Sequence, residues 1–182
     1  MSEISEGTLE QVWQEVSQLP AEQVPKEMQR VGRSQPDLMA LVLAATEDRR
    51  VEVREIGIYL FYVMVRVFER ATSRNIPRIP DAELHRYFKQ NIGRVKQCGS
   101  EQRWFEEQAS PAEMGRQPAV VQSLIRALRA ESKGQEGTGE LGLRGEEVGA
   151  LFFALRTVLD ALLDARAAVE AAPTGQGSSG EA

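Results

Sequence analysis

Two stretches of this chain answer each other: "REIGIYLFYVMVRVF" (54–68) and "EEVGALFFALRTVLD" (146–160), which pair Glu55 with Glu147, Gly57 with Gly149 and Phe61 with Phe153. Read alone, the first is rich in β-branched and aromatic residues and fits a buried strand as well as a helix. The second continues into an Ala- and Leu-rich segment to residue 171 whose periodicity is helical. Equivalence with the second therefore makes the first a helix, over 53–71. Both are apolar nearly all round, so both belong at the centre of the fold, packed on one another.

Other anchors recur in the same order. "EQVWQE" (10–15) is matched by "EQRWFE" (101–106), and "PKEMQRVGRSQPDLM" from Pro25 by "PAEMGRQPAVV" from Pro111. Spacings between anchors differ where turn residues lie, as loop insertions and deletions do. The pattern reads as an internal duplication with a unit of roughly 65 to 75 residues. The expected architecture is an all-α helical bundle of two duplicated helical units packed as one domain. Residues 1–72 form the first unit, 73–100 a linker and basic helix, 101–171 the second unit, and 172–182 a polar Gly/Ser-rich disordered tail. In this register Trp13 corresponds to Trp104.

Local signals divide the units into helices. Thr8 is placed to cap a first helix ending before Pro20, and Gly32 to stop a second. Pro36 and Pro118 each suit a first helical turn, where the missing N–H costs nothing. "TSRNIPRIP" (72–80) is extended because Pro77 and Pro80 forbid a helix, after which Asp81 can cap one running to about residue 97.

Chemistry-bearing residues are few. With one cysteine, Cys98, and one histidine, His85, the chain has no intrachain disulfide, and these two residues cannot complete a zinc site of the usual kind. Lys96 and Arg94 lie near Cys98, but no base is placed beside it, so it does not read as a nucleophile. No phosphate-binding glycine motif is present, and Gly57 and Gly149, costly inside helices, are expected to admit a close neighbour. Glu55 and Glu147 are candidate inter-unit carboxylates, able in principle to do acid–base work or hold a cation. The competing reading is a glutamate in a first helical turn complementing the helix dipole.

Charge supplies the remaining candidate. Residues 66–103 hold nine Arg or Lys and four Asp or Glu, a net of +5 in a chain of net −5, so the rest carries −10. Arg74, Arg78, Arg86, Lys89, Arg94 and Lys96, with Tyr87 and Phe88 among them, form a possible basic surface able to follow a phosphate backbone. The overall acidity favours the other outcome, in which these side chains dock on acidic groups of the same chain. The longest strongly apolar run, 56–65, is half of what a membrane span needs, and no secretory signal opens the chain, so a cytoplasmic location is expected.

At the Trp13 helix, "QPDLMALVLAA" and "IYLFYVMVRVFER", the chain resembles an uncharacterised group of bacterial all-helical hypothetical proteins, mainly over 8–103. That resemblance implies a helical fold and brings no activity, cofactor or site residue with it. The expectation is a non-enzymatic interaction or regulatory module with no cofactor, acting through a protein partner or self-association rather than on nucleic acid or a membrane. The alternatives are an anion or nucleic-acid binder using 66–103, and a small-ligand or metal site between the units near Glu55 and Glu147.

Overall fold

The structure, a computed structural model, describes residues 3–72, 75–108, 117–133 and 142–172. The expected turn at 111–116, most of the Gly-rich 133–142 connection and the tail lie outside the described residues. In chain order the helices are α1 (Glu6–Ser17), α2 (Val24–Ser34), α3 (Pro36–Ala45), α4 (Val51–Ala71), α5 (Asp81–Cys98), α6 (Glu101–Glu107), α7 (Pro118–Lys133) and α8 (Gly145–Ala171). No strand occurs among the described residues, and the β-branched 56–68 segment is helical.

Helix boundaries follow local chemistry, with three differences from the expected ones. Ser5, not Thr8, caps α1, its hydroxyl accepting the Thr8 N–H at 3.2 Å. Three residues before the position it protects, Ser5 has the extended backbone that an N-cap requires, whereas Thr8 is already helical. α2 runs through Gly32 to Ser34, because the stop comes from Pro36, which pushes Gln35 out of the helical region to φ −133° and ψ 63°. Asp81 opens α5 rather than capping it, and Pro80 holds the N-cap position. At its far end α5 stops at Gly99, whose φ of +93° is the left-handed value that a residue without Cβ adopts freely.

α4 and α8 pack on one another at the centre, as expected. α1, α2 and α3 lie on α4, α5, α6 and α7 lie on α8, and α3 touches both. Every residue of α8 from Glu147 to Leu159 is buried. Trp104 and Phe105 of α6 close edge-on against Phe152, at ring-centroid distances of 5.1 and 5.3 Å. That approach depends on Gly149, where a Cβ would lie 2.6 Å from the backbone N of Gln102. At Gly57 the nearest obstacle is a side-chain atom, Leu151 Cδ2, at 2.9 Å.

The two Gln-Pro glutamines are both buried in the core, 2% and 1% exposed for Gln35 and Gln117. Gln35 accepts the Ile79 N–H at 3.1 Å and donates to the Pro77 carbonyl at 3.0 Å, fixing the extended segment ahead of α5. Gln117 accepts the Ile4 N–H at 2.7 Å, fixing the segment ahead of α1. Each glutamine completes the hydrogen bonding of a short stretch of backbone that no helix covers, and so lets Ile4 and Ile79 bury their side chains beside it.

Two measurements check this packing. Gln35→Leu and Gln117→Leu each leave a buried N–H unsatisfied, so each is expected to lower unfolding free energy by about 1–3 kcal/mol in denaturant titrations. Gly149→Ala must displace backbone and is expected to cost about 1–3 kcal/mol. Gly57→Ala meets side chains rather than backbone, Leu151 Cδ2 at 2.9 Å and Val42 Cγ1 at 3.3 Å, while gaining up to about 1 kcal/mol of helix propensity, so it is expected to cost less than Gly149→Ala and to stay within about 1 kcal/mol of the parent. A Gly57→Ala loss equal to that of Gly149→Ala would refute the distinction between backbone and side-chain obstacles.

Candidate functional site

The residues singled out in the sequence do not gather into one site. Glu147, 3% exposed, is held by both arms of the Arg50 guanidinium at 2.9 and 2.8 Å and accepts the Arg144 N–H at 2.8 Å. It thus combines a first-turn capping role with an ion pair that ties the start of α8 to the start of α4. Hydrogen bonds from Arg50 hold its carboxyl far below the usual carboxylate range, at about 2, against the opposing effect of burial. Glu55, its sequence counterpart, is exposed on α4. Among the described residues no three His, Cys, Asp or Glu side chains converge as a cation site.

Much of the basic segment is paired within the chain. Arg78 binds Asp37 at 2.9 Å, Arg86 lies 3.6 Å from Asp164, and Arg94 lies 3.8 Å from Asp160 while donating to Asn91 at 3.0 Å. Lys89 and Lys96 are exposed, and Arg74 lies outside the described residues. His85 is exposed and stacks on Phe88 at a ring-centroid distance of 6.3 Å. The half-buried Cys98 thiol donates to Glu107 at 3.0 Å.

Between α5, α6 and α8 runs a polar cluster that the sequence did not point to. Asn91, fully buried, donates to Thr157 at 3.0 Å and to Asp160 at 3.2 Å. Arg156, also buried, reaches Asp160 at 3.2 Å and Gln108 at 3.3 Å. Nearby, Tyr87 donates to Asp164, and burial together with that bond raises its phenol to about 12. Each of these groups has its partner inside the protein, which suits a role in fixing helix register.

Among the described residues an open groove lies between α1 and α7, a hollow of about 460 Å³. Leu9 and Trp13 form the α1 side of its floor, Ala119 and Ala127 the α7 side, and Glu6, Glu10 and Arg126 stand on its rim. Trp13 is half-buried, and its indole N–H donates to Ser123 across the groove at 3.0 Å. None of the three rim charges makes an ion pair with another described residue. The sequence carried a partial signal for it, since Leu9 and Trp13, Glu6 and Glu10, and Ala119, Ser123 and Ala127 each recur at four-residue spacing on one helix face. That α1 and α7 are neighbours was not legible.

No family model, curated protein or solved structure matches this chain. Among the described residues no helix is long and apolar enough to cross a membrane.

The Arg50–Glu147 pair predicts an acid limb of stability. Because the folded carboxyl titrates below its usual value of 4.5, its contribution is complete above that pH and is lost as pH falls toward about 2. Glu147→Gln is expected to flatten the decline in Tm across that interval while lowering Tm at neutral pH. Parallel parent and Glu147→Gln profiles would show that other carboxylates govern acid unfolding.

Proposed function

We propose that this protein is a non-enzymatic helical interaction module that engages a partner protein through the groove between α1 and α7. The observation that carries this reading is a contrast in how polar groups are used. Glu147, Asn91, Arg156, Asp160 and Tyr87 are satisfied within the fold, whereas the groove joins an apolar floor to rim charges that the described part of the chain leaves unpaired. A half-buried tryptophan with its polar atom already positioned is the type of side chain that dominates binding energy at protein interfaces. The nucleic-acid alternative is weakened because Arg78, Arg86 and Arg94 already face Asp37, Asp164 and Asp160, which lowers the positive charge available to phosphates.

We also infer an internal duplication, in a register different from the sequence anchors: α1–α4 against α5–α8. Ile4 and Ile79 each lie five residues before the first buried leucine of the helix that follows, Leu9 or Leu84, and each gives its N–H to a Gln-Pro glutamine. Buried positions then repeat with one spacing, Leu9, Val12 and Val16 in α1 and Leu84, Tyr87 and Asn91 in α5. Trp13, tilted against Tyr59 of α4, finds its counterpart in Phe88, edge-on to Phe153 of α8. In this register the basic helix is the first helix of the second unit rather than a linker, and the glutamine of each half holds the other half.

Photo-crosslinking tests the functional reading. A photoreactive side chain at Gln122, exposed in the groove wall, is expected to give discrete protein adducts that excess unlabelled chain competes away. The same group at Gln90, exposed on α5, is expected to give none. Nucleic-acid adducts from Gln90 with an unreactive Gln122 would favour the alternative.

A further inference from the structure

We propose that the occupant of the α1–α7 groove is a basic amphipathic helix of a partner protein; this rests on the groove being the interaction surface. Shape supplies the first argument. α7 offers Ala119, Ser123 and Ala127 at successive turns of one face, so the wall is low and a cylindrical element can come close to its backbone. Large side chains at i, i+4 and i+7 of an incoming helix would then fill the space over Leu9 and Trp13. A hollow of about 460 Å³ that opens to the surface has room for such side chains.

Charge decides which helix. α1 contains Glu6, Glu10 and Glu15 and no lysine or arginine. Glu15 is taken up by Arg66 and Arg70, at 4.0 and 3.4 Å, on the side that faces α4. Glu6 and Glu10, one turn apart, are left on the groove rim without a counter-ion among the described residues. A helix lying in the groove therefore runs one edge past two carboxylates, where lysines or arginines one turn apart form paired contacts and acidic residues are repelled. Arg126 on the opposite rim makes no ion pair with a described residue, so it can pair with a single acidic residue on the far edge but does not reverse the balance. Trp13, bonded through its ring nitrogen to Ser123, is fixed in place before the partner arrives, which lowers the ordering cost of binding.

The test uses the full chain and two synthetic helical peptides of about 14 residues with the same leucine ridge, one flanked by lysines and the other by glutamates. Affinity is read by calorimetry, and by tryptophan emission with Trp13→Phe identifying the responding ring. The lysine peptide is expected to bind and the glutamate peptide not. Glu6→Lys with Glu10→Lys is expected to weaken the lysine peptide at least about tenfold, as is filling the groove by Ala127→Leu, with melting curves showing that both variants fold. Reversing Glu106, which is exposed and away from the groove, is expected to leave affinity unchanged. Lysine-peptide binding that survives the Glu6/Glu10 reversal would reflect general acidity and overturn the proposal. Preference for the glutamate peptide would overturn the basic-helix assignment while leaving the groove as an interaction surface. Concentration-dependent dimerisation abolished by Ala127→Leu would place a second copy there and overturn it too. Failure of both peptides, together with an unreactive Gln122, would remove the interaction reading itself.

Discussion

A helix buried on every side is the constraint from which the rest of this structure follows. α8 has no face that meets water between Glu147 and Leu159, so the chain must surround it. α4 does so along one side, and α3, α5, α6 and α7 complete the jacket. Such a helix tolerates polar side chains only where neighbours satisfy them. Thr157 and Arg156 are therefore matched by Asn91 on α5 and Gln108 just after α6, and Glu147 by Arg50. The same demand explains Gly149: α6 is two turns long, and it buries Trp104 and Phe105 only by lying against α8 closely enough that a Cβ would be in the way.

What the sequence made legible is the part of the fold that periodicity and local chemistry control. The helical periodicity of 146–171 and the proline starts of α3 and α7 came from residues within a turn or two of one another, and the helical nature of the β-branched 56–68 run came from its likeness to 146–160. The pairing of Arg78, Arg86 and Arg94 was foreseeable in kind, because a local net of +5 in an acidic chain has acidic neighbours to find. Their partners were not, since Asp37, Asp160 and Asp164 are distant in sequence. Gln35 and Gln117 stood out as repeated residues, but a glutamine's role as a clamp on backbone 44 or 113 positions away leaves no local trace.

The same limit bears on the register of the proposed repeat. Identities align Trp13 with Trp104, yet Trp104 is sealed in the core against Phe152 while Trp13 lies half-buried on α1 against Tyr59. Environment aligns Trp13 with Phe88 instead. The positions that correspond in burial, Val12 with Tyr87 and Val16 with Asn91, differ in chemistry. Tyr87 and Asn91 meet Asp164, Asp160 and Thr157 on α8, whereas Val12 and Val16 belong to the apolar core shared with α4. Under the proposed duplication, side chains that differ in this way would erase the sequence match while preserving the helical face that carries it.

Among the described residues the groove is a place where this tightly enclosed arrangement stays open, and its walls come from segments more than 100 positions apart in the chain. α1 is held to α7 by the Ile4–Gln117 bond at one end and by Trp13–Ser123 further along, contacts spanning 113 and 110 positions. A cleft defined by such contacts exists only once the whole fold has formed. Its rim charges then stand at fixed positions, because the helices that carry them are pinned at two points rather than one. Pinning of that sort limits how far the groove can adapt, so under the proposed reading selectivity would fall to what the walls already present: a low alanine face, an anchored indole and two carboxylates one turn apart.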